Sequence, residues 1–332
     1  MNENSLKEMK GQRVLVLGGL GFFGSNIVHK CVGLGAEVTV FDAMIEPYGF
    51  NLANLKGIEK KVGLLKQDMR NFGDLSKAVK EKDLIFNCAG QVSHVDSMKE
   101  PFLDIELNIV ANLNLLEACR KFNGNAKIVY AGTRAQVGKA EYTPIDEKHP
   151  TNPVDVYGID KLTAEKYLLL YSSAYGIKGV SIRSTNGFGP RHQMKHGLYG
   201  ILNWFIRLAL EGKTISVYGT GEQLRDYLYI DDIVNAMVSC GQSEKANGQI
   251  YNVSSGKGIK FIEMVKKIIE FSGKGKYELK PFPEERKMIE TGDVVLSYKK
   301  INRELGWEPL TSFDDGLKKT IDFYKKHLKE YV

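Results

Sequence analysis

The stretch VLVLGGLGFFGSNIV, residues 14–28, decides how the rest of the chain is read. Four consecutive apolar residues, Val14 to Leu17, suit a strand buried on both faces. A glycine cluster follows, then a segment with helical spacing over Phe22–Val32. Gly18, Gly21 and Gly24 satisfy G-x-x-G-x-x-G, and Gly19, Gly21 and Gly24 satisfy G-x-G-x-x-G. Such a turn needs glycine three times: for a tight bend, for close approach of backbone to a pyrophosphate, and for tight contact between helix and strand. A helix beginning at Phe22 also aims unbonded N–H groups and a partial positive charge at those phosphates. Phe22 and Phe23 therefore join Gly18, Gly21 and Gly24 as candidate cofactor contacts.

Glu37–Phe41 is the next strand, and Asp42 ends it. A carboxylate there accepts hydrogen bonds from the adenosine ribose and repels a 2′-phosphate. Turn, context and Asp42 together predict an NAD site. The alternative is a purely structural glycine turn beside a surface aspartate. Further along, Asp68 and Met69 follow the strand Val62–Lys66. Asp68 is a candidate partner for the adenine amino group and Met69 for the adenine ring. The competing reading is a loop aspartate that caps a helix from Asn71.

Strands at Leu84–Cys88, Lys127–Ala131 and Gly179–Arg183 alternate with helical patterns at Pro101–Phe122 and Val154–Tyr175. Alternation of this kind predicts βαβ units. The expected fold is α/β: a Rossmann-type doubly wound parallel sheet with a smaller C-terminal substrate-binding lobe. After Arg183 the pattern loosens around NGFGP, YGTGE and PFPEE, with helices at Leu198–Leu210 and Phe261–Phe271. We expect an NAD-binding domain over residues 1–183, with 229–254 returning to it. Residues 184–228 and 255–332 form the lobe.

Composition narrows the classes. The chain has 332 residues, 43% hydrophobic, enough for a large core. Its net charge is +6, but the lysines are scattered, so they read as solvated surface and no nucleic-acid partner is expected. The polar start MNENSLKEMKGQ has no apolar core, and no run of 18 apolar residues occurs, so neither a signal peptide nor a membrane span is expected. Four widely spaced cysteines and six histidines show no ligand spacing. That argues against a metal site and for a reducing cytoplasm.

The chemistry centres on Tyr157 and Lys161, four residues apart and so on one helix face. A phenol with an ordinary pKa near 10 is a poor base at neutral pH. An adjacent ammonium and a cationic nicotinamide would lower it. Thr133, just beyond the strand Lys127–Ala131, places a hydroxyl to share the proton. Alternatively, Tyr157 and Lys161 are an exposed helix face.

These motifs carry a resemblance. GGLGFFG, Asp42, QDMR at 67–70, NCAG at 87–90, LNIVANLNLLEA at 107–118, AGTRAQVG at 131–138, YGIDK, RSTNGFGPR at 183–191, VYGTGEQLRDYLYIDDI at 217–233 and LGWEP at 305–309 recur along nearly the whole chain. The sequence resembles the extended short-chain dehydrogenase/reductases, within them the NAD-dependent nucleotide-sugar epimerase/dehydratase group. The resemblance implies Thr133, Tyr157 and Lys161 as the catalytic set and Ala89 as a further cofactor contact. It implies Asn108, Asn186, Arg225, Val217 and Tyr218 around a nucleotide sugar. It also implies a homodimer through the helices near 101–122 and 154–175.

The residues after Thr133 sort the reactions. Dehydratases of this group carry Asp-Glu there, and decarboxylases keep the Glu; here Arg134 and Ala135 stand instead. An alanine does no acid–base work, so the reading is a 4-epimerase, UDP-glucose 4-epimerase-like. A dehydratase, decarboxylase or 2-epimerase with displaced groups is the alternative, and a non-catalytic NAD sensor the remaining one. Val137 replaces the group's usual tyrosine, and Glu290 replaces an arginine expected on the phosphates, with Arg286 as a candidate substitute. Arg134 and Arg191 are candidate contacts for a substrate carboxylate or phosphate.

Overall fold

A computed structural model describes residues 6–283 and 290–332. Its first strand, β1 (Arg13–Leu17), lies in the interior of a seven-stranded sheet. α1 (Phe22–Gly33), β2 (Glu37–Asp42), β3 (Val62–Lys66) and α2 (Phe72–Ala78) follow, and then β4 (Leu84–Asn87). Next come α3 (His94–Lys99), α4 (Pro101–Ile105), a π-helical turn (Glu106–Val110) and α5 (Ala111–Phe122). β5 (Lys127–Thr133), α6 (Val156–Tyr175) and β6 (Lys178–Ser184) complete the regular alternation. The predicted helix over 101–122 is thus continuous in outline but underwound by the turn around Asn108, a feature frequent at functional sites.

β1 pairs in parallel with β2 on one side and β4 on the other. The order across the sheet is β10-β6-β5-β4-β1-β2-β3, with every neighbouring pair parallel. Strand order therefore reverses between β1 and β4. A doubly wound sheet opens its ligand crevice at such a switch point, beyond the carboxyl ends of the strands. Alternate residues of β1 feed opposite layers: Val14 and Val16 pack with Ile27 of α1, and Leu15 and Leu17 with Leu115 of α5. That is why all four had to be apolar.

The return segment is a helix followed by a strand. After β7 (Asn186–Phe188), α7 (Ile201–Leu210), β8 (Thr214–Tyr218) and β9 (Leu224–Tyr229), α8 (Ile230–Gln242) lies in the α1 layer, and β10 (Gln249–Val253) extends the sheet beside β6. β11 (Gly258–Lys260), α9 (Phe261–Ser272), β12 (Lys276–Lys280), α10 (Lys299–Leu305) and α11 (Phe313–His327) follow. Two small sheets, β11-β9-β7 and β12-β8, carry the far wall of the crevice. Among the described residues, no helix is long and apolar enough to cross a membrane.

One buried ion pair ties α6 to β6. Arg183 is 2% exposed and Glu165 fully buried. The guanidinium donates to both carboxylate oxygens, at 2.6 and 3.1 Å, and the Ser181 hydroxyl adds a bond of 2.7 Å. Removing one partner strands the other charge in the interior, at a cost of about 3–5 kcal/mol. Glu165→Ala should lower the unfolding free energy by that amount in a urea titration; a loss under ~1 kcal/mol would show that the pair contributes little.

Candidate active site

The crevice is a cavity of about 790 Å³, walled by the glycine turn, the ends of β4 to β6 and the smaller sheets. Gly18 has φ +71°, and a Cβ there would lie 2.8 Å from the Ala89 backbone. A Cβ on Gly24 would lie 2.1 Å from the Gly18 carbonyl. The turn exists only with glycine at these positions. α1 starts at Gly21 with no side-chain cap and no acidic residue in its first turn. Its leading N–H groups are free to receive phosphate, so the cradle suits a dinucleotide. Gly21, Phe22, Phe23 and Ala89 line the cavity. Asp42 sits at the rim of the turn, its two oxygens accepting Leu20 N at 3.0 Å and Met44 N at 2.9 Å.

Thr133, Tyr157 and Lys161 all face the cavity. Thr133 ends β5 and opens a short helical turn; its N–H donates to Gln136 Oε1 at 2.7 Å and its hydroxyl accepts Ala135 N at 3.2 Å. That reciprocal capping fixes its hydroxyl. Tyr157 is 7% exposed. Burial pushes its phenol above the ordinary range, the hydrogen bond with Thr133 pulls it down, Asp155 and Asp104 push it up, and Arg134 pulls it down. The expected acidification by Lys161 is not the arrangement found. The Lys161 ammonium lies over the Tyr130 ring, 4.3 Å from its centre, and burial lowers its pKa to about 8. Sharing a helix face set the spacing of the two side chains but not the direction of a four-carbon stem.

Beneath this wall lies a carboxyl pair. Asp104 and Asp160 are 1% and 3% exposed, each has an Oδ2 without another hydrogen-bond partner, and they lie close enough to shift each other's pKa. Two carboxyl groups can bond only if they hold a proton between them. Burial, then the bond to Asp104 and its charge, raise the Asp160 carboxyl to about 7. Burial raises Asp104 as well. Asn108 belongs to this layer and not to the substrate surface, which corrects its expected placement. It is fully buried, donates to Gln91 O at 3.1 Å and Asp104 Oδ1 at 3.0 Å, and sits where a Cβ on Gly90 would fall.

Other expected contacts divide. Asn186, Tyr218, Arg134 and Arg225 line the cavity. Val217 does not, because strand alternation turns it into the core at 0% exposure while Tyr218 faces outward. Arg191 is likewise off the wall; it donates to Asn26 Oδ1 at 2.7 Å and braces α1. Met69 is buried beside Leu17 and Phe41, and Asp68 holds Arg70 through both carboxylate oxygens. Asn71, not Asp68, caps α2. Arg225 is committed to Glu290 at 2.5 Å and to Gly292 O at 2.6 Å. Arg134 reaches Asn186 at 3.4 Å and Thr291 at 3.3 Å, and makes no ion pair among the described residues. Val137 packs with Ile145, Val294 and Leu296 under the same segment. Arg286 lies outside the described residues. The loop Arg191–Gly197, read as a ligand loop, brings His192, Gln193 and His196 to the wall, while sequence reading missed His94, for which the S-H-V-D stretch at a helix start was the available signal.

Fold and cavity define a Rossmann-type dinucleotide-binding enzyme. The chain belongs to the NAD-dependent epimerase/dehydratase family, whose model matches residues 14–254. It is 30% identical to the UDP-glucose 4-epimerase of Mycolicibacterium smegmatis over 94% of this chain and 98% of that one. It is 28% identical to UDP-glucuronic acid decarboxylase 1 of Xenopus tropicalis, over 98% of this chain and 75% of that protein. The solved Thermus thermophilus UDP-glucose 4-epimerase in complex with NAD superposes with a TM-score of 0.85 at 31% identity, covering 95% of this chain and 99% of that chain.

The carboxyl pair sets a pH dependence of stability. Raised native pKa values mean that between about 4 and 7 this pair holds more protons in the folded chain than in the unfolded one, so its contribution to stability falls as pH rises through that window. Asp160→Asn supplies a donor to Asp104 without needing a proton. Its melting temperature relative to the parent should therefore increase from pH 4 to pH 8; a difference constant with pH would show that the pair is not protonated.

Proposed function

We propose that this protein is an NAD-dependent nucleotide-sugar 4-epimerase acting through a transient 4-keto sugar. One observation carries the reading: Tyr157 and Thr133 face the cavity together beside the glycine turn, while the second position after Thr133, where a dehydratase of this group carries its glutamate, is the apolar, buried Ala135. Gly18, Gly21, Gly24 and the backbone of Phe22 and Phe23 would hold the NAD pyrophosphate, Asp42 the adenosine ribose, and Ala89 and Lys161 the nicotinamide half. Bound NAD supplies a hydride acceptor for the sugar C4 that also returns the hydride, so the net reaction is redox-neutral. Tyr157 takes the O4 proton and gives it back, and Thr133 shares that hydrogen bond. Lys161, displaced toward Tyr130 here, is a positive charge close enough in sequence to swing toward a phenolate.

The substrate's charged part falls to Arg134 and Asn186. Arg225, expected on the diphosphate, already has its carboxylate in Glu290, which stands where an arginine was expected. Arg134 is a guanidinium on the wall that makes no ion pair among the described residues, and its planar fork suits phosphate or carboxylate. Tyr218 is the candidate for the base. A homodimer belongs to the same proposal: Phe102, Val110, Ile159 and Leu170 stay exposed along α4 to α6. So does a cytoplasmic location, in keeping with four unpaired cysteines.

Tyr157→Phe should lower interconversion of UDP-glucose and UDP-galactose at least ~100-fold, the usual worth of a positioned acid–base group, with NAD still bound. Unchanged turnover would remove Tyr157 from the mechanism. Asp42→Ala should cut the preference for NAD over NADP about tenfold or more, the worth of a charge-assisted hydrogen bond. Equal ratios in paired titrations would count against Asp42 as the ribose contact.

A further inference from the structure

His94 is a cavity residue that a C4 hydride exchange does not need. It opens α3, and its Nδ1 lies 2.5 Å from Asp155 Oδ2. The Asp155 side chain is 2% exposed, that of His94 34%. Asp155 Oδ1 accepts Gly158 N at 2.7 Å, so the same carboxylate caps the helix that bears Tyr157. The carboxylate is held below its ordinary range because the bond and charge of His94 outweigh burial, with Gly158 N and Arg134 adding to the effect. An ionised Asp155 fixes the neutral imidazole as the Nδ1–H tautomer, which leaves the Nε2 lone pair for the cavity. The imidazole stands edge-on to the Tyr157 ring, with centres 5.1 Å apart and planes at 80°.

The other cavity histidines lack this arrangement. His192 is 5% exposed and its Nδ1 faces Gln193 O. His196 contacts Gln193 Nε2 through Nδ1 and Pro47 O through Nε2. His94 alone among these three is oriented by a carboxylate, the pattern that makes an imidazole a base toward whatever faces its second nitrogen.

A ketone at the sugar C4 acidifies the C–H bonds at C3 and C5. We propose that His94, oriented by Asp155, is a second acid–base group of this cavity, which removes and returns the proton on a ring carbon next to that ketone. The proposal rests on the C4 reading for the origin of the ketone. In the step, a C–H bond breaks and the proton passes to Nε2. The electron pair moves into the carbonyl, and Tyr157 O–H and Thr133 stabilise the resulting enolate oxygen. Return of a proton from Nε2 to the same carbon restores the ketone, and no oxidant is consumed. Because the imidazole reaches the open cavity, the returned proton comes from solvent. The activity is therefore exchange of a sugar carbon-bound hydrogen with water, beyond inversion at C4.

The test supplies the ketone ready-made. UDP- and dTDP-linked 4-keto-6-deoxyglucose are incubated with the full-length protein in D₂O, and deuterium at C3 and C5 is read by NMR. Exchange at least ~100-fold above buffer is expected with one of them. In His94→Gln it should fall to the buffer rate. Asp155→Asn, which keeps the helix cap, should lower it about tenfold or more. Absence of exchange with both sugars, or exchange retained in His94→Gln, overturns the proposal. Interconversion of UDP-glucose and UDP-galactose is scored in parallel. Its absence with exchange intact sinks the C4 reading instead, and its presence without exchange sinks only the role of His94.

Discussion

The close approach of the Gly18 carbonyl to the space a side chain on Gly24 would fill governs the rest of this molecule. A single methyl group at position 24 would sit 2.1 Å from that oxygen. Only because glycine stands there can α1 begin directly over the end of β1. Its uncapped N–H groups then point into the crevice, and not into solvent. The order β3-β2-β1-β4 puts Ala89 and Gly90 on the opposite lip, close enough that Gly18 also cannot carry a side chain. The cavity is thus a consequence of a steric rule at one turn and a reversal of strand order beside it.

What the crevice can do chemically depends on how the fold withholds water from its wall. Tyr157 and Lys161 are 7% and 4% exposed, and each is pushed toward its neutral form by burial. Desolvation therefore opposes the phenolate that proton abstraction requires. The opposing pull comes from Thr133 and Arg134, both placed by the end of β5, and not from the lysine one helical turn away. Under that wall the interior carries Asp104 and Asp160 as a proton-sharing pair, with Asn108 joining them to the Gly90 floor. A π-helical turn delivers Asn108, whose widened backbone lets one more side chain reach inward.

Much of this was readable in the chain. β1, β4 and the glycine turn announce themselves because a central parallel strand must be apolar on both faces and the turn permits few residues. Thr133, Tyr157 and Lys161 were legible because their spacing follows from one strand end and one helix. Val217 was misplaced where plain alternation along β8, with Tyr218 outward, would have corrected it. The π turn had no signature, since helical spacing continues across it. His94 escaped because its meaning lies in Asp155, 61 residues on, and pairings across a sheet's ends leave no local pattern. The same holds for Arg225 and Glu290, which meet only through the fold.

That last pair bears on how substrates are told apart. An arginine expected on the diphosphate is replaced by Glu290, and the carboxylate takes the Arg225 side chain for itself. The wall does not lose its positive charge, because Arg134 stands on the same cavity, at the end of β5 beside Thr133 and Asn186. The cation has in effect moved from the lobe toward the Thr133 and Tyr157 hydroxyls. Burial lowers the Arg134 pKa to about 10, with Arg225 adding to the effect and Glu290 opposing it. Arg134 is thus a partly buried charge whose hydrogen bonds, at 3.3 and 3.4 Å, are long. Such a group gains more from an incoming oxyanion than a paired surface arginine would, because the cost of stripping its water has already been met in folding. Selectivity in this cavity should accordingly be set by where a ligand carries its negative charge relative to O4, more than by the shape of its base.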